Sequence, residues 1–164
     1  MAKRIDPASL ERSVGTTYPP PFDTPCRPRE RVRLGNAAGL TQFGVNRLRL
    51  PPGAWSSQRH WHTHEDEFVY VLAGEVVLVT DAGEEVLRAG DAAGFKAGEA
   101  NGHCLQNRTS ADAILLEVGT RVAGDGAFYP DIDMVAPPGG KPAPYTKRDG
   151  TPYTDTRRRG PDDP

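Results

Sequence analysis

The sequence predicts an all-β domain of short antiparallel strands, closed into a sandwich or barrel. Three observations predict it. The 164 residues include 18 glycines and 16 prolines, which favours tight turns over long helices. Between residues 33 and 135, short apolar runs alternate with Gly, Pro, Asp or Asn. No segment in that range carries a sustained helical period with caps.

Each element follows from its local text. Residues 1–32 contain "TTYPPPFDTPCRPRER". Proline blocks regular structure and the triple proline favours polyproline II, so an extended N-terminal arm is expected. Tyr18, Phe22 and Val32 give that arm some apolar grip on its own domain or on a neighbour. Residues 33–135 form the β-domain. "FGVNRLRL" (43–50) alternates in part and stops at "PPG". "EFVYVLA" (67–73) ends at Gly74, and "EVVLVT" (75–80) runs into "DAG". "EEVLR" (84–88) ends at "AGD", which precedes "AAGF". "HCLQN" (103–107) and "AILLEVG" (113–119) complete the set. These β-branched and aromatic runs have strand length and turn-forming borders. Residues 136–164, "APPGGKPAPYTKRDGTPYTDTRRRGPDDP", are a Pro/Gly-rich C-terminal tail with too few large apolar residues for a core of its own. The tail is expected to be flexible or draped over a surface, with "RRR" at 157–159 as a solvated basic patch.

Charge excludes some partners. Twenty basic and 22 acidic residues give a net charge of −2, without the footprint of a nucleic-acid or membrane binder. "MAKRIDPASLERSVG" has no apolar run after its basic residues, so no signal peptide is read. "FVYVLA" and "VVLV" are too short to span a bilayer. Cys26 and Cys104 are expected to be free thiols, and the expected compartment is the cytoplasm.

The chemistry concentrates in "HWHTHEDE" (60–67), which holds three of the four histidines, His60, His62, His64 and His103. Side chains two apart on a strand share a face, so His60 and His62 project together while Trp61 points away. Two imidazoles on one face can chelate one metal ion, which also removes the repulsion between protonated rings. The alternative is a solvated polar turn. A short connection through "THED" returns Glu67 beside the pair. A carboxylate heading the apolar inner face of Glu67, Val69 and Val71 is costly unless it is paired or bound to a cation. His103, some forty residues on, needs the fold to bring it back. His64 is expected to face solvent or to support the site from behind, with replacement of another histidine as the alternative. Glu65 and Asp66 are expected to be exposed turn charges.

These residues resemble the cupin family. The first cupin motif reads here as Gly53, "AWSSQR", His60-Trp61-His62, "THED", Glu67, "FVYVLA", Gly74, with one residue more than the usual five after Gly53. The second reads as Gly90, "DAAGF", Lys96-Ala97-Gly98, "EANG", His103, "CLQ", Asn107. Lys96 stands where the family has proline, and four residues rather than two separate Gly98 from His103. The resemblance implies a double-stranded β-helix, or jelly roll, with His60, His62, Glu67 and His103 as ligands of a metal inside the barrel. It also implies a homodimer, with the arm available to that contact.

Cupins include oxygenases, decarboxylases, lyases, isomerases and non-catalytic binding proteins, so the resemblance does not choose a reaction. The expected activity is that of a metal-dependent enzyme acting on a small oxygen-rich or carboxylate-bearing substrate, and the alternative is a non-catalytic metal or small-molecule binding protein. The ligand set suits a divalent ion, Mn, Fe, Ni, Co or Zn. Neither a nucleic-acid nor a membrane partner is expected. Candidate cavity residues are Arg47, Arg49, Arg59, Tyr70, Lys96, Asn101, Cys104 and Gln106. Alternation turns Arg47 and Arg49 outward if Leu48 and Leu50 face the core. Cys104 points away from the ligand next to it.

Overall fold

Strand alternation decides which residues the barrel buries. A computed structural model describes residues 4–140 and 142–163. Among the described residues, twelve strands run in chain order: β1 (Arg12–Val14), β2 (Glu30–Val32), β3 (Phe43–Leu50), β4 (Trp61–His62), β5 (Glu67–Ala73), β6 (Glu75–Thr80), β7 (Gly83–Arg88), β8 (Ala92–Phe95), β9 (Cys104–Gln106), β10 (Ala113–Thr120), β11 (Ala127–Tyr129) and β12 (Met134–Ala136). They form a six-stranded sheet in the order β1-β2-β3-β10-β5-β8 and two three-stranded sheets, β7-β6-β9 and β12-β11-β4. All pairings are antiparallel. The all-β jelly-roll expectation is met.

The core lies between the six-stranded sheet and β7-β6-β9. Leu48, Leu50, Val69, Val71 and Leu115 come from the first; Val76, Leu78, Leu87 and Leu105 come from the second. Strand β10 is central: Leu115 sits opposite Leu48 on one side and Val71 on the other. All three are fully buried. Arg49, on the opposite face of β3, pairs with Glu30 and Asp112 at 2.5 and 2.7 Å. Leu115→Ala should lower stability by about 2–5 kcal/mol, because neighbours on both sides are fixed in strands and cannot collapse into the hole. Leu116→Ala, on the outer face, should cost about 1 kcal/mol. Thermal denaturation of the two variants checks the facing.

Two turns depend on glycine. Gly74, between β5 and β6, has φ +79°, and a Cβ there would lie 2.6 Å from the Asp112 carbonyl oxygen. Gly15 has φ +86°, and its Cβ would meet the Arg159 carbonyl oxygen at 1.9 Å. Both conformations exclude ordinary side chains.

The termini are more ordered than their composition suggests. The arm contains β1 and β2, and β2 pairs with β3 through Arg31 opposite Leu48. The tail docks on the arm: Arg159 and Thr16 exchange backbone hydrogen bonds of 2.8 and 3.0 Å. Tyr145 packs against Tyr18 and Tyr129, with ring centroids 5.3 and 6.3 Å away. Arg159 is buried beside Asp23 and Asp155, which corrects the expectation of a solvated patch for this residue; Arg157 and Arg158 are exposed. A one-turn helix, α1 (Leu34–Ala38), closes on Gly39 at φ +76°. Five residues are too few to show a period in sequence. Cys26 and Cys104 are buried free thiols. No helix among the described residues is long and apolar enough to cross a membrane.

Candidate metal centre

Backbone pairing carries His103 to the histidine pair. His60 and His103 lie directly opposite one another and exchange backbone hydrogen bonds of 3.1 and 2.9 Å. Strand β4 holds His62, and β5 opens with Glu67. The Nε2 atoms of His60 and His62 each lie 3.7 Å from Glu67 Oε2, and that of His103 lies 3.0 Å away. All four sequence-selected side chains therefore meet. His60, His62 and Glu67 offer donor atoms within 4.8 Å of one another, and His103 stands just outside that set.

Hydrogen bonds fix two of the rings. His60 Nδ1 lies 2.9 Å from the Gln58 carbonyl oxygen. A carbonyl only accepts, so Nδ1 carries the proton and the neutral ring turns its Nε2 lone pair toward Glu67. His62 Nδ1 lies 2.6 Å from the Asp125 carboxylate, which imposes the same tautomer. Stacking holds the other faces: Phe95 lies 3.5 Å from the His103 ring, and Tyr129 lies 5.5 Å from the His60 ring. Trp61 points away and stacks on Phe128 at 4.9 Å.

The residues fit a cation. Glu67 Oε2 is buried and makes no well-aligned hydrogen bond, although three Nε2 atoms surround it. Such an oxygen is costly unless something positive sits there. Donor spacings of 3.0–3.7 Å are close to the roughly 3 Å separating neighbouring ligands of an ion bound at about 2.1 Å. Burial lowers the His60 pKa to about 4, and the other two imidazoles add to this against the pull of Glu67. Burial pushes the Glu67 carboxyl up, but contact with His103 and the charges of His60, His62 and His103 outweigh it and hold the pKa at about 2. Neutral imidazoles beside an ionised carboxylate are the forms that bind metal.

The unfolded chain protonates His60 near 6.5, whereas the folded metal-free protein resists until about 4. Between these values the unfolded state holds the extra proton, so stability falls as pH falls. Urea midpoints of chelator-treated protein should decline through this window, and His60→Gln should flatten the decline.

Two hollows meet at this centre. A cavity of about 440 Å³ is lined by His60, Glu67 and His103, and also by Arg29, Arg31, Arg33 and Arg121. A smaller hollow of about 50 Å³ on the other side is lined by His62, Glu67, His103, Lys96 and Asn101. Glu65 borders both. It is half-buried and accepts from the Val122 backbone N–H at 2.9 Å, which corrects its reading as an exposed turn charge. His64 is exposed, with Nδ1 2.8 Å from Thr63 Oγ1, and is not among the side chains gathered around Glu67.

Of the nominated cavity residues, Lys96 and Asn101 border the smaller hollow, and the other six border neither. Arg59 is bound to Asp131 and Asp81. Tyr70 is on the outer face, 37% exposed. Cys104 is buried and burial raises its thiol pKa to about 11, so it is not a thiolate. Gln106 is held by Arg108 Nε at 2.9 Å. The arm's arginines and Asp125 were missed: nothing local in "CRPRERVR" or "AGDG" links them to a site sixty or more residues distant in places.

Residues 46–119 match the Cupin domain family. A sugar phosphate isomerase from a cupin superfamily, from Silicibacter pomeroyi, is 46% identical, with 93% of this chain and 97% of that chain covered and a TM-score of 0.87. The chain belongs to the cupin superfamily. This cupin is also 26% identical to a protein of Acidithiobacillus ferrooxidans provisionally assigned as a sugar phosphate isomerase, covering 77% of this chain and 80% of that one at a TM-score of 0.69. The polyketide cyclase RemF of Streptomyces resistomycificus shares the fold, at 20% identity over 73% of this chain and 80% of its own, with a TM-score of 0.58. No curated protein matches this cupin in sequence.

Proposed function

We propose that this cupin is a metal-dependent isomerase acting on a small phosphorylated sugar. The observation that carries the reading is the buried, unbonded Glu67 oxygen ringed by three imidazoles at the wall of a sugar-sized cavity. The likeness to the Silicibacter pomeroyi isomerase, over nearly the whole of both chains, supports this choice of reaction among those cupins perform.

His60, His62, Glu67 and His103 would hold a divalent ion. Bound there, it supplies Lewis-acid polarisation of a substrate carbonyl or hydroxyl oxygen. The remaining work belongs to the chain. Isomerisation moves one proton between adjacent carbons and one between their oxygens, with no net oxidation. It therefore needs a group that takes and returns a proton inside the cavity. Glu65 suits that task. It borders both hollows, and one of its oxygens is free of hydrogen bonds among the described residues. Glu117 does not suit it, since both its oxygens are bound by Arg31 at 2.7 and 2.8 Å.

Asp125 orients His62, and Asp125→Ala should weaken metal affinity about 10- to 100-fold while the fold is kept. Competition with a metallochromic chelator measures this. The activity itself is tested by NMR with aldose and ketose phosphates in deuterated buffer, using protein loaded in turn with Mn, Fe, Ni, Co and Zn. Interconversion, or deuterium entering the carbon next to the carbonyl, is expected with at least one metal. Absence of both with every metal would overturn the reading.

A further inference from the structure

The cavity has a second pole. Four guanidinium groups line it at the end built from the arm and the close of β10, and their partners differ. Arg29 is buried and donates to the Gly15 and Ser56 carbonyls and to Thr16 Oγ1. Arg31 is neutralised by Glu117. Arg121 bonds only to neutral acceptors, the Leu40 carbonyl at 2.8 Å and Asn36 Oδ1, so its charge is uncompensated. The Arg33 side chain is exposed and has no hydrogen bond or ion pair among the described residues; only its backbone carbonyl is engaged, by the Ala37 N–H at 3.2 Å. Arg33 and Asn36 are three apart at α1, and Asn36 is tied to Arg121, which places these two exposed guanidinium groups on one rim; Arg29 also lacks a carboxylate partner, but it is buried and its donors are taken by Gly15, Ser56 and Thr16. A Cβ on Gly44 would lie 3.7 Å from Arg121 Nε and Nη2, so this guanidinium lies over bare backbone. Arg158, outside the cavity wall, responds to the same field: burial and then Arg29, Arg33 and Arg31 lower its pKa.

We infer that Arg33 and Arg121 form the subsite that grips the phosphate of the substrate, on the cavity rim beside α1, with the reacting carbons left facing Glu67. The inference rests on the isomerase reading for the word substrate, but the anion site stands on the arginines alone. Planar guanidinium forks without carboxylate partners match a phosphate dianion in charge and in hydrogen-bond geometry. Evenly paired arginines would not.

The test is calorimetric titration of inorganic phosphate into the protein, both as purified and after chelator treatment. Binding should persist without metal. Arg33→Gln and Arg121→Gln should each weaken it by about 10-fold or more, and the double variant should abolish it. Arg157→Gln, an exposed arginine away from the cavity, should change nothing. The Arg33 side chain has no hydrogen-bond or ion-pair partner among the described residues, and glutamine keeps its backbone bond to Ala37, so its variant carries the test if Arg121→Gln is unstable. In turnover assays, KM for a sugar phosphate should rise in the Arg33 variant with kcat largely kept, and Arg33→Lys should restore only part of the loss. Phosphate binding equal in wild type and double variant, or lost with the metal, would overturn the inference. Phosphate binding without isomerase activity would leave it standing and sink the reaction proposed above.

Discussion

His62→Ala should purify with less than about 0.1 divalent ion per chain, against about one for the wild type, and should have no measurable turnover. The change removes one of three donors that lie within 4.8 Å of one another. It also strands Asp125, whose carboxylate sits 2.6 Å from the lost ring. Two donors and an offset third do not hold an ion against dilution. Stability should fall little in the metal-free protein, because His62 is on a two-residue strand outside the main core. Elemental analysis alongside thermal denaturation separates loss of the site from loss of the fold. Retained metal in a folded His62→Ala protein would mean that the ion is held elsewhere.

The second large effect is expected at Glu65. Glu65→Gln should lower kcat by about 10²- to 10⁴-fold, with metal content unchanged, if the carboxylate carries the proton between carbons. Glutamine keeps the shape and the acceptor for the Val122 N–H, so a merely structural role predicts little change. The solvent-exchange readout sharpens the distinction. Deuterium incorporation should fall with turnover if Glu65 is the base, and should survive if Glu65 only shapes the hollow. Glu65 has a donor atom within 4.8 Å of one on His62, and elemental analysis of the variant separates loss of the base from loss of the ion.

Much of this was legible in the sequence because it is periodic. Strands β3, β5, β6, β7, β8 and β10 fall on the runs that alternation and turn residues marked out. The His60–His62 spacing and Glu67 at the head of an inner face pointed to one chemistry, and those side chains do converge. Strands β11 and β12 have three residues each, too short for a period of two to register. The supporting residues were illegible for another reason. Asp125 reaches His62 across sixty-three positions, and Arg31 reaches Glu117 across eighty-six. Such partners are single residues chosen by the closed fold, with no pattern around them. The error over Glu65 has the same root. A carboxylate in a polar run reads as solvated until the neighbouring loop at Val122 is seen to cover it.

Diffraction from crystals soaked in manganese or zinc, with data collected at the metal's absorption edge, addresses the central claim most directly. One anomalous peak should appear between His60 Nε2, His62 Nε2 and Glu67 Oε2, with His103 Nε2 drawn in to complete the set. A peak confined to Glu65 and Asp125, or no peak beside Glu67 in a protein that binds the ion in solution, would contradict it.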